Sequence, residues 1–150
     1  MEKTVSGLGG AFIFSDQPER LASWFEDCFG LSFEKLGDSG TRYQTFWALD
    51  PDHPERRLST TFAIMRSKMD LPRAEKNQGS EDMYGDQHFM VNLRVADLDT
   101  LIESLKARGE TILGRQDEGE YGLFAWLYDP DGNRVELYEP SHESQQPGEQ

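Results

Sequence analysis

Alternating apolar residues, an aspartate, an amphipathic stripe and a closing glycine occur in that order twice in this chain, and three strand-like runs follow each time. The first pass enters a strand at Leu8 to Ser15, with Gly10, Phe12 and Phe14 in alternation. Asp16, followed three residues later by Glu19, reads as a helix start. Leu21, Trp24, Phe25 and Cys28 then recur at helical spacing, and Gly30 stands where a left-handed cap is expected, so a helix is predicted over 18–29. In the second pass Val91, Leu93 and Val95 alternate, Asp97 caps, Leu98, Leu101, Ile102 and Leu105 form the stripe, and Gly109 closes it. The strand-like runs are 31–36, 42–49 and 58–66 in the first half, and 110–115, 121–128 and 134–138 in the second. Each half is therefore βαβββ. A helix covers one face of such a half-sheet, so two halves side by side leave a concave face for a ligand.

The segment from Leu123 to Pro140, LFAWLYDPDGNRVELYEP, is the most informative stretch. Its turn, Asp129 to Asn133, combines a proline with preset φ, aspartates that bond nearby backbone, and Gly132, which tolerates positive φ; a hairpin follows. On its second strand Val135 and Leu137 alternate with Arg134, Glu136 and Tyr138, so the face opposite the apolar one presents an acid between a cation and a ring.

The duplicated plan, the opening FIFSDQPERLASWFEDCFGL, the run VNLRVADLDTLIESLKARG and the ending YGLFAWLYDPDGNRVELYEP resemble the vicinal oxygen chelate superfamily of glyoxalase I, extradiol dioxygenases and bleomycin-resistance proteins. The resemblance spans 7–140 and implies an α+β fold: two βαβββ modules forming a curved mixed sheet around a concave cup. The expected organisation is one domain over 1–150, with modules at 7–66 and 87–140, a linker at 67–86 and a disordered tail at 141–150. Met69, Leu71, Met83 and Tyr84 in the linker either staple it to the domain or fold over the rim of the cup.

Within that resemblance, metal ligands come from the first and last strands of each module. The usual first-strand position, seven residues before the capping aspartate, falls on Gly9 and Met90; glycine has no side chain and a thioether is a soft ligand. On the last strands Glu136 matches the glutamate of the pattern, while LSTTFAIMRS in the first module holds no Asp, Glu or His. His88 lies two residues before Met90, displaced by about 6.5–7 Å along the strand. The reading is a degenerate metal site and no cofactor; a divalent metal, were one to bind, would draw on His88 and Glu136. Alternation points Ala11 and Ile13 of the first strand into the cup, with Met90, Asn92, Arg94, Arg134, Glu136 and Tyr138 from the second module as ligand-binding candidates. Trp126, on the paired strand, faces either the cavity or the core.

The chain has 150 residues, one cysteine and a formal charge of −13. That length suits one compact domain, the charge argues against sequence-independent nucleic-acid binding and favours a cationic ligand, and no apolar run is long enough to span a bilayer. Cys28 lies on the helix stripe as a small hydrophobe, His53 falls in a surface loop, and the tail carries only two of the acidic residues. The expected protein is cytoplasmic and homodimeric. Its function is either to bind a small molecule in an acidic cup, or to act as a glyoxalase-like lyase, isomerase or dioxygenase through a metal or through Glu136 as general base; an interaction module without a small ligand is the third reading.

Overall fold

A computed structural model describes residues 4–71, 82–85 and 87–141. The chain divides into two compact units, with the division between Leu71 and Pro72. Most of the expected linker and all but the first residue of the expected tail lie outside the described residues.

The first unit runs β1 (Gly10–Ser15), α1 (Pro18–Phe29), β2 (Glu34–Lys35), β3 (Arg42–Leu49) and β4 (Arg57–Arg66). Its sheet order is β1-β4-β3-β2, with β1 parallel to β4 and the other pairs antiparallel. The helix has its expected span, and Gly30 takes the left-handed cap at φ 67. Its start differs from the expectation. Pro18 occupies the first helical turn and puts Gln17 at the cap, so Asp16 falls one residue short; Ser15 Oγ accepts from the Gln17 N–H at 3.0 Å instead.

The stripe of α1 buries Leu21, Ala22, Phe25 and Cys28. Phe25 meets Phe62 of β4 edge-on at 5.2 Å, which identifies the helix side of the sheet. Because Ala11 pairs with Phe62 and Ile13 with Ile64, Ile13 points to this core and is buried, while Phe12 and Phe14 stand on the opposite face. The expected assignment of Ala11 and Ile13 to the ligand side is therefore reversed. The physical reason is that β1 is apolar on both faces, so alternation fixes the pairs without saying which pair the helix covers.

The second unit runs β5 (Val91–Arg94), α2 (Leu98–Ala107), β6 (Gly114–Asp117), a single 3-10 turn at Gly119–Tyr121, β7 (Leu123–Tyr128) and β8 (Arg134–Glu139). Its sheet, β5-β8-β7-β6, repeats the first in order and in its one parallel pair. Two four-stranded mixed sheets, each from one βαβββ module, are thus present. Asp97 caps α2 as expected, accepting from the Thr100 N–H at 2.9 Å. Glu139, at the far end of β8, adds a second bond by accepting from the Leu98 N–H at 2.7 Å. Leu98, Ile102 and Leu105 bury against the face of β7 and β8 that carries Ala125, Leu127, Val135 and Leu137. The strand expected at 110–115 begins later, at Gly114, although the Leu113 N–H already donates to the Trp126 carbonyl of the neighbouring strand at 2.8 Å.

The hairpin turn closes as its residues require. Gly132 adopts φ 86, and Asp129 Oδ1 accepts from the Asp131 and Asn133 N–H groups at 2.9 and 2.8 Å. Burial pushes the Asp129 carboxyl up from 3.8 to about 6, against the pull of these bonds to Asn133 and Asp131. Between those values the folded chain holds a proton that the unfolded chain releases, so this group's contribution to stability is full below about pH 4 and falls as pH rises through 6. The expected loss is about 3 kcal/mol. Urea melts at pH 4 and pH 7 should show wild type losing that much relative to Asp129→Asn; a pH-independent difference would contradict it.

Among the described residues, no helix is long and apolar enough to cross a membrane.

Candidate functional site

Parallel pairing of the first and last strands of the second unit creates the site. It sets Asn92 beside Glu136 and Arg94 beside Tyr138, while the antiparallel hairpin sets Trp126 opposite Glu136 and Phe124 opposite Tyr138. All six side chains share the face away from α2.

Glu136 is 7% exposed. Asn92 Nδ2 donates to its Oε1 at 2.6 Å, Trp126 Nε1 donates to its Oε2 at 2.8 Å, and the Tyr84 hydroxyl donates to the same Oε2. Every donor is neutral. The carboxylate is held by these groups rather than by Arg134 or Arg94. Trp126, left open between cavity and core, is buried on the Glu136 face. It begins a row of near-parallel rings: Trp126 and Phe124 are 6.4 Å apart and inclined by 15°, Phe124 and Tyr138 5.1 Å apart and inclined by 21°.

Tyr84 comes from the segment 82–85, which precedes β5 in the chain, and lies 52 positions from Glu136. Its ring meets Trp126 edge-on at 6.0 Å. Burial, with the bond to Glu136 and that group's charge, pushes the phenol up to about 12, so it stays a donor at neutral pH. Arg134 fixes the backbone beside it: the buried guanidinium donates to the Met83 carbonyl and to Gln87 Oε1, both at 2.8 Å, and lies 5.6 Å from the Tyr128 ring centre. Of the four linker residues considered for the rim, Met83 is buried and Tyr84 reaches Glu136, while Met69 and Leu71 are exposed.

The remaining candidates sit at the margins. Met90 is half-buried just before β5, with Gln87 Nε2 3.8 Å from its sulfur; Arg94 and His88 are exposed, and His88 precedes the strand. The donor set does not suit a family-type metal centre. Gly9 offers no side chain, both oxygens of Glu136 are engaged by N–H and O–H donors, and among the described residues no three of His, Cys, Asp and Glu come together to hold an ion.

The hairpin contained the signal for Trp126. With Tyr128 and Arg134 closing the Asp129–Asn133 loop, counting back two residues on one strand and forward two on the other puts Trp126 across from Glu136. No comparable local signal existed for Tyr84.

The family model of the Glyoxalase/Bleomycin resistance protein/Dioxygenase superfamily matches residues 7–137. The chain belongs to this superfamily. Among solved structures, this superfamily member is similar in fold to TnmS3, an antibiotic binding protein from Streptomyces sp. CB03234, at 18% identity and TM-score 0.59, covering 93% of this chain and 100% of that one. It is also similar to the fosfomycin resistance protein FosX from Listeria monocytogenes, at 15% identity and TM-score 0.58, with 95% and 100% covered. A third is lactoylglutathione lyase from Agrobacterium tumefaciens, at 16% identity and TM-score 0.56, with 91% and 96% covered. A glutamate-to-glutamine mutant of FosX was crystallised with Mn(II) and 1S,2S-dihydroxypropylphosphonic acid. No match is found among curated proteins.

Proposed function

We propose that this superfamily member binds a small organic molecule on the ring-bearing face of its second sheet, without a metal of the family type. The observation that carries the reading is the buried Glu136 carboxylate, held by three neutral donors beside the row Trp126, Phe124 and Tyr138. The rings supply apolar contact area, and the carboxylate supplies one strong acceptor that fixes orientation. Asn92 and Trp126 preset the carboxylate, and Tyr138 and Arg94 border it. The acidic chain favours cationic over anionic ligands. A cytoplasmic homodimer with no nucleic-acid partner completes the proposal.

A second reading uses the same carboxylate as the general base of a lyase, isomerase or dioxygenase of glyoxalase type; its burial beside apolar rings favours it. Tryptophan emission titrated against cationic glycopeptides and a broad metabolite set tests both. A ligand found in wild type should bind Glu136→Gln at least tenfold more weakly, since bonds to an ionised acceptor contribute about 1.5–3 kcal/mol. Retained affinity with lost turnover would favour the enzyme, and no tight ligand in either set would remove the binding reading.

A further inference from the structure

We propose that Tyr84 is a built-in occupant of the Glu136 subsite, and that the ligand of this face is a hydroxylated aromatic that displaces it and donates its own hydroxyl to Glu136. This deepens the binding reading and rests on it.

Tyr84 is held on this face as a ligand would be. Its phenol makes the two contacts this face offers a ligand: a hydroxyl donated to Glu136 Oε2 and a ring edge against Trp126. Yet the residue is 51% exposed, so it is no core side chain. The neighbouring backbone is anchored independently of the ring, through the Met83 carbonyl on Arg134 and Gln87, and through the Tyr84 N–H donating to Asp82 Oδ1 at 2.9 Å. The side chain can therefore rotate out about its χ1 torsion while the segment stays in place. What remains after rotation is a site whose acceptor is still preset by Asn92 and Trp126, with one position on Oε2 vacated. An external phenol reproduces the lost bond and the edge contact; a ring without a hydroxyl leaves the acceptor one bond short. A protonated amine on a ring would satisfy the same oxygen, but the geometry in place is that of a neutral phenol.

The experiment measures binding of p-cresol by tryptophan emission in wild type, Tyr84→Phe and Tyr84→Ala. Tyr84→Ala should bind p-cresol at least tenfold more tightly than wild type, and the gain should disappear in Tyr84→Ala/Glu136→Gln. Tyr84→Phe keeps the fold and the ring but loses the hydroxyl, so its ring is more readily displaced and its affinity should fall between the two. 4-Methylanisole, which has no hydroxyl to donate, should bind Tyr84→Ala at least tenfold more weakly than p-cresol does. Equal p-cresol affinity across the three proteins, or equal affinity for the two probes, would overturn the proposal. Ligands in the broader screen alongside such a failure would leave the binding reading standing; p-cresol rescue with an empty screen would support the subsite and count against the wider reading.

Discussion

Trp126→Ala is expected to destabilise the protein by about 3–5 kcal/mol and to abolish ligand binding at the Glu136 face. Trp126 is 1% exposed, so truncation opens a large cavity, and it removes the N–H that donates to Glu136. It also removes the end of the ring row and the surface that Tyr84 meets. Trp126→Phe separates these losses: most of the volume survives and only the donor goes, at about 1–2 kcal/mol. Urea unfolding followed by circular dichroism measures both. Equal destabilisation by the two variants would mean that the hydrogen bond, and not the packing, dominates.

Phe25→Ala is the counterpart in the first unit, again with an expected loss of about 3–5 kcal/mol. Phe25 is fully buried and touches Trp24, Phe29, Phe33 and Phe62, all within 6.4 Å between ring centres. Phe12→Ala, at a position 58% exposed on the opposite face of the sheet, should cost well under half as much. Urea midpoints at fixed pH decide it. A larger loss for Phe12→Ala than for Phe25→Ala would reverse the two faces of the first sheet.

Those two faces mark how far sequence reasoning reached. The duplicated βαβββ plan, the span of α1, the Asp97 cap and the Asp129–Asn133 turn were legible because each is set by local chemistry: helical spacing, a side chain that bonds nearby backbone, a glycine at positive φ. The orientation of β1 was not, since apolar residues occupy both its faces. Asp16 looked like Asp97, but Pro18 shifted the cap by one residue, and no pattern that counts only the acid and the following glutamate registers that. Alternation put Asn92, Glu136 and Tyr138 on one face, and the parallel pairing of β5 with β8 sets Asn92 beside Glu136 on that face. Tyr84 was not legible in this way, because its contact with Glu136 spans 52 positions and depends on where a connecting segment lies against the sheet. Arg134 read as a ligand contact from its place on the strand, whereas its guanidinium is spent on the Met83 carbonyl and Gln87.

The bond from the Leu98 N–H to Glu139 has a consequence for Glu136, three residues earlier on the same strand. A one-residue slip of β8 would turn Glu136 to the helix side, which the buried leucine and valine on that face already oppose. A two-residue slip would keep every side chain on its proper face and so escape that control. It would, however, carry Glu139 about 6.5–7 Å from the end of α2 and leave the helix without its second cap. Glu139 thus works as an alignment pin, converting the position of a helix terminus into the position, along the strand, of the carboxylate that faces the rings.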